Sequence, residues 1–146
     1  THKTSSAASD VYKRQNKQFT PSSRYNLTNL FRSMFALELE NRLKKTSISV
    51  AVAHPGVTKS RQSRPYEVKK FKKSFYTYFS TNIQTGIAPI IQAIEEDNVS
   101  AERVYAPKFF GFYGQPATMQ HNKLVYNEEL RNKLWTFTAN ELNLDL

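Results

Sequence analysis

At 146 residues the chain has room for one domain around a single core, and 39% hydrophobic with 13% aromatic residues mark it as globular rather than disordered. Zero cysteines exclude disulfides, thiolate nucleophiles and cysteine metal centres and favour a reducing compartment; the three histidines, His2, His54 and His121, lack the paired spacing of a metal site. The formal charge of +9 admits phosphate-bearing partners, while no apolar run approaches the ~20 residues that span a bilayer and no signal-peptide apolar stretch opens the chain, so the expected location is cytoplasmic.

Residues 1–23 show neither helical nor strand periodicity. From about Ser23 to Lys45, Leu27, Leu30, Phe31, Met34, Phe35 and Leu39 recur at helical spacing, with Glu38, Glu40, Arg42 and Lys44 among them, which predicts a long amphipathic helix. In "TSISVAVAHPG" (46–56), Ile48, Val50 and Val52 alternate with small residues and Pro55-Gly56 ends the run, the pattern of a strand packed on both faces. The charge excess concentrates next: "KSRQSRPYEVKKFKK" (59–73) holds seven Lys/Arg against one Glu. A solvated loop and helix face accounts for that run. The competing reading is a nucleic-acid or anionic membrane-surface contact, but no recognition helix or stacking platform accompanies it, which disfavours nucleic acid.

Val68, Phe71, Phe75 and Tyr78 mark a second helix. Thr81 and Gln84 have capping-box spacing ahead of a third, whose Ile83, Ile87, Ile90, Ile91 and Ile94 form one apolar face expected in the core. Pro89 should kink that helix or shift its start. "RVYAP" (103–107) is a short strand, and "KFFGFYGQPATMQHN" reads as a loop punctuated by Gly111, Gly114 and Pro116. Asn127 caps a last helix, with Glu128 and Glu129 in its first turn and Leu130, Leu134, Phe137 and Leu142 along the core face; Trp135 also belongs in the core. The order is α/β, but two strands make a poor sheet, so the chain reads as one end of a larger α/β domain.

Tyr25 and Asn29, at i and i+4, share one helix face. "YNLTNLFRSMFALELENRL", then a strand, then "HPGV" resembles the second half of the short-chain dehydrogenase/reductase family, nearest its retinol-dehydrogenase-like and ketoreductase-like members. There a helix beginning Y-x-x-S-K continues through F-x-x-E-L-x-x-R-L to a strand ending in H-P-G-V. Tyr25 falls on the family tyrosine, Thr28 on its serine and Asn29 on its lysine. Phe35, Glu38, Leu39, Arg42 and Leu43 follow the later pattern, and His54 to Val57 the turn. "TNIQTGIAPIIQAI", "VYAPKFFGFYGQP" and "EELRNKLWTFTANEL" resemble the family's following helix, last strand with its Gly/Pro loop, and closing helix, so the likeness runs from about Tyr25 to the carboxyl end.

This resemblance implies an α/β fold, the C-terminal portion of a doubly wound Rossmann-type parallel sheet whose first half is missing from the chain. It also implies an oxidoreductase that moves hydride between NAD or NADP and a carbonyl or alcohol substrate. Tyr25 would exchange the substrate oxygen's proton; Pro55, Gly56, Val57 and Ser60 would lie against the nicotinamide; a homodimer is admitted. An unperturbed phenol, with a pKa of about 10, is poorly matched to neutral pH, and the family lysine supplies the positive charge that lowers it. Asn29 can hydrogen-bond a ribose but carries no charge. Since a nearby opposite charge typically shifts a pKa by about 1–3 units, its loss amounts to roughly ten- to a thousandfold in ionised tyrosine. Two other readings stay open: a non-catalytic relative that lost its lysine, and a basic module acting through residues 59–73. Tyr25 as a simple helix-face aromatic and His54 as a structural residue ahead of the turn are the plain alternatives. Tyr66, Phe71, Phe75, Tyr76 and Phe79 would line a substrate pocket or merely pack a helix.

The family's glycine-rich phosphate turn, ribose selector and active-site serine have no counterpart in the sequence. Residues 5–15, "SSAASDVYKRQ", are instead similar to the translation of a transposon-type sequencing adapter. Residues 1–15 are therefore set aside as adapter-derived and expected to be disordered, and 16–146 are read as the C-terminal half-domain. Setting aside three basic and one acidic residue leaves 18 against 11, or +7. With the dinucleotide phosphate site missing, the chain alone is expected to show no turnover.

Overall fold

The computed structural model describes residues 20–58 and 81–144. The expected helix around Val68–Tyr78, the aromatic residues Tyr66 to Phe79, and residues 1–15 lie outside the described residues. Helix α1 spans Pro21–Leu43 and strand β1 Val52–Ala53; helix α2 is Ile83–Glu95, strands β2 and β3 are Arg103–Phe109 and Tyr113–Gln120, a 3₁₀ turn covers Lys123–Tyr126, and helix α3 is Glu128–Leu142. Residues 20–38 with 122–144 form one compact unit, and residues 39–58 with 81–121 a second. No helix of the described residues is long and apolar enough to cross a membrane.

In the first unit, α1 begins two residues before the sequence pattern places it. Pro21 occupies the first helical position, where its missing N–H costs nothing. Thr20 ahead of it caps the helix by accepting the Ser23 N–H at 3.1 Å. Met34 and Leu37 of α1 form the buried core with Val125 of the 3₁₀ turn, flanked by Leu30, Phe31 and Leu134. Phe35 stacks on Trp135 with centroids 4.9 Å apart. Asn127 caps α3, accepting the Leu130 N–H at 3.0 Å as its sequence position predicts. Along α3, however, the buried line is Arg131, Trp135 and Ala139. Leu130, Phe137 and Leu142 are exposed, while Leu134 packs beside the buried Arg131 and Trp135 on the inward face.

The second unit is a three-stranded mixed sheet of order β1-β2-β3 with α2 against it. β1 runs parallel to β2, Val52 opposite Val104 and Ala53 opposite Tyr105, and the His54 N–H extends the ladder to the Tyr105 carbonyl at 2.8 Å. The strand is shorter than the alternation at 46–54 predicts. β2 starts at Arg103, so in this register residues ahead of Ala51 run past its first residue, and beyond His54 the next donor in line, Gly56, turns its N–H to His54 Nδ1 instead. β3 corrects the loop reading of 108–122: it pairs antiparallel with β2 from Arg103↔Gln120 to Phe109↔Tyr113. Pro116 is tolerated because β3 is an edge strand among the described residues and its partner is Pro107, so no N–H is left facing an absent acceptor at that pair.

α2 is capped by Asn82, whose side chain accepts the Thr85 N–H at 2.7 Å, one residue beyond the Thr81 box the spacing indicates. The helix runs through Pro89 from Ile83 to Glu95. Its buried line is Gly86, Pro89 and Ala93. The isoleucine stripe expected in the core faces outward, with Ile94 78% exposed. Small residues at i, i+3 and i+7 let the backbone approach the sheet closely, and that approach decides which face turns inward.

Candidate functional site

Tyr25 and Asn29 lie one turn apart near the start of α1. Tyr25 is 60% exposed and Asn29 half-buried. Thr28, at the family serine position, donates its hydroxyl to the Arg24 carbonyl at 2.9 Å, so its one proton is held within the helix. What fixes the Tyr25–Asn29 face is the packing further along α1. Besides the Met34–Leu37–Val125 core, Glu38 and Arg131 are both buried and meet at 3.4 Å, and Arg131 donates from Nη1 to the Val125 carbonyl at 3.1 Å. This buried ion pair ties α1 to α3 within the unit, and removing either partner would be costly.

Pro55, Gly56 and Val57 do come together, in the second unit, at the carboxyl end of β1. Gly56 has φ +72°, the left-handed region open to glycine. A Cβ there would lie 2.5 Å from the Phe112 carbonyl oxygen and 2.8 Å from Pro107 Cγ. The Gly56 N–H donates to His54 Nδ1 at 2.9 Å, the Val57 N–H to the Phe112 carbonyl at 3.0 Å, and the Val57 carbonyl accepts the Thr81 N–H at 2.8 Å. The turn is thus stitched to the β2–β3 hairpin on one side and the start of α2 on the other. Thr58 bridges to Thr81 and packs on Gly86, where a Cβ would meet its methyl. Ser60 lies outside the described residues.

His54 behaves as a structural residue of this turn. Its ring is partly covered although the residue is exposed, and that burial lowers its pKa, opposed by a hydrogen bond with the Gly111 backbone. Below the sheet, Tyr105 is buried, and burial together with the neighbouring Glu96 carboxylate raises its phenol's pKa. Glu40 accepts the Ala101 N–H at 2.9 Å and the Ser100 hydroxyl at 3.1 Å. Sequence reasoning missed Gly86 as the contact that seats the turn. Its one signal was a glycine inside an otherwise strong helical pattern, which marks close backbone approach.

These residues suit a nicotinamide nucleotide unevenly. Tyr25 offers an accessible hydroxyl and Asn29 a carboxamide for a ribose hydroxyl. The Val57 backbone does not suit the nicotinamide amide in this conformation, since its N–H and carbonyl already serve Phe112 and Thr81.

No family model matches the sequence, and no curated protein does. Among solved structures, the crystal structure of an uncharacterized protein from Mycobacterium Paratuberculosis is similar, with a TM-score of 0.64 and 17% identity over 86% of this chain and 41% of that one. The likeness is one of α/β fold, and the chain spans well under half of that protein's length.

Proposed function

We propose that the chain is the carboxyl-terminal part of a cytoplasmic NAD(P)-dependent oxidoreductase of the short-chain dehydrogenase/reductase type, acting on a carbonyl or alcohol. The observation that carries this reading is the His-Pro-Gly-Val turn at the carboxyl end of a parallel strand, joined through α2 to its neighbour β2. Open α/β sheets take their ligands outside the carboxyl ends of parallel strands. The similarity of most of the chain to a minor part of a longer solved protein supports a half-domain. In this reading the nicotinamide supplies or takes the hydride. Tyr25 passes the proton to or from the substrate oxygen, Asn29 hydrogen-bonds the ribose, and Pro55, Gly56, Val57 and Ser60 border the ring.

Two observations favour a second reading, a relative that binds nucleotide without catalysis: Asn29 lacks the charge that would activate Tyr25, and the Val57 backbone is already engaged. One experiment separates the two. The full-length protein containing this chain is titrated with NADH and NADPH and assayed for reduction of a carbonyl panel, as found and as Asn29→Lys. The oxidoreductase reading expects binding by both forms and turnover at least ten times faster in Asn29→Lys, the lower end of what a neighbouring charge confers. Binding without turnover in either form supports the non-catalytic relative. Absence of binding in both overturns both readings.

A further inference from the structure

Of the four glycines in the chain, Gly86 alone has no positive φ, so its backbone does not ask for glycine. It lies within α2, where its N–H bonds to the Asn82 carbonyl at 3.0 Å, and alanine is the stronger helix former at such a position. What alanine lacks there is room. A Cβ at Gly86 would run into the Thr58 methyl group and stand 3.2 Å from the Pro55 carbonyl oxygen. Both obstacles belong to the turn after β1.

That turn has no slack on its other side. A Cβ on Gly56 would lie 2.5 Å from the Phe112 carbonyl oxygen, and the same oxygen accepts the Val57 N–H at 3.0 Å. Toward α2, the Thr81 N–H holds the Val57 carbonyl at 2.8 Å, and Thr58 pairs with Thr81. The helix itself is seated on the sheet, with Pro89 and Ala93 buried. The turn is therefore wedged between the hairpin and α2. A methyl group added at position 86 pushes residues 55–58 off their present path, because neither neighbour yields without giving up contacts of its own.

We propose that Gly86 is a positioning residue for the nicotinamide end of the cofactor: by letting α2 close on Thr58 and Pro55, it fixes where the Pro55–Val57 backbone stands beside the ring. The proposal rests on the oxidoreductase reading. A dinucleotide's phosphates and adenine bind away from this turn, so Gly86 governs ring alignment more than affinity, and misplacing a reacting group by about 1 Å can cost roughly a hundredfold in rate. The test uses the full-length protein in the Asn29→Lys background. Gly86→Ala is compared with Gly86→Ala, Thr58→Ser, which removes the obstructing methyl and keeps the hydroxyl. Three quantities are read: NADH and NADPH affinity, carbonyl reduction, and amide exchange at Val57 without cofactor. Gly86→Ala is expected to lower turnover roughly tenfold or more while cofactor affinity stays within about threefold. Its Val57 amide should exchange roughly tenfold faster as the bond to Phe112 loosens. Adding Thr58→Ser should return turnover and exchange to within about threefold of the parent. Unchanged turnover or exchange in Gly86→Ala, affinity lost in step with turnover, or a loss that Thr58→Ser does not restore overturns the positioning role and leaves the oxidoreductase reading standing. A parent that binds neither nucleotide, or binds without turnover, overturns that reading and the positioning role with it.

Discussion

Replacing Gly56 by alanine isolates the contact that defines the turn after β1. Two costs are separable. The backbone sits at φ +72°, and a non-glycine residue there costs about 1–2 kcal/mol. The added Cβ would also lie 2.5 Å from the Phe112 carbonyl oxygen. That atom belongs to backbone fixed by the hairpin and cannot swing aside as a side-chain end can. The obvious relief is for residues 55–57 to draw back from Phe112, which sacrifices the 3.0 Å Val57–Phe112 hydrogen bond, worth about 1 kcal/mol. The sum is about 2–3 kcal/mol. Gly111→Ala is the control: it shares φ +72°, but its nearest contacts would be 3.7 Å and 4.0 Å, ordinary van der Waals distances. It should cost only the conformational part, about 1–2 kcal/mol. Urea unfolding followed by far-UV circular dichroism gives the totals, and amide exchange in β2 and β3 shows whether the loss is local to the hairpin. If Gly56→Ala costs no more than Gly111→Ala, the close approach of the turn to the hairpin is wrong.

Two further outcomes follow from other parts of the molecule. Arg131→Met removes the ion partner that the buried Glu38 carboxylate meets at 3.4 Å and should cost about 3–5 kcal/mol in urea unfolding; adding Glu38→Leu should recover much of it, and strict additivity of the two changes would show that the pair does not interact. Burial lowers the pKa of both His54 and His121, the latter opposed by its 2.8 Å hydrogen bond to the Ala101 carbonyl. The unfolded chain therefore takes up protons first as pH falls, and stability should fall from about pH 7.5 downward, through the unfolded histidine value of about 6.5 and on through the lowered folded ones. His121→Gln, which can keep the bond to Ala101, should flatten that slope; an unchanged slope in a His54→Gln, His121→Gln double variant would refute the assignment.

The elements that could be read from sequence were those in which one local rule acted alone. α1 has a long apolar period, and Asn127 with Glu128 and Glu129 is a complete helix start, so both were legible. β3 was not, because Gly114 and Pro116 are turn signals locally and only pairing with Pro107 on β2 makes them tolerable in a strand. The face of α2 was misjudged for a related reason, and that of α3 in part: Trp135 and Leu134 do pack inward, whereas Leu130, Phe137 and Leu142 are exposed. Ile83 to Ile94 form the more hydrophobic stripe, yet Gly86, Pro89 and Ala93 allow the closer backbone approach; Arg131 is buried because Glu38, distant in sequence, neutralises it. Hydrophobicity ranks residues one at a time, whereas burial depends on what the opposing surface offers. At the candidate site, Pro55, Gly56 and Val57 were placed correctly as a turn ending a strand, but the engagement of the Val57 backbone by Phe112 and Thr81 depends on contacts that no local pattern encodes.

The oxidoreductase reading rests on Tyr25 as the proton-transferring group, and Tyr25→Phe tests it most directly. The variant is made in the full-length protein, in the Asn29→Lys background, and read by carbonyl reduction together with a separate titration of NADH and NADPH. Removing one hydroxyl should leave cofactor affinity within about twofold while turnover falls by roughly 10²–10⁴, the range general acid–base groups contribute. Turnover that survives Tyr25→Phe unchanged would contradict the account.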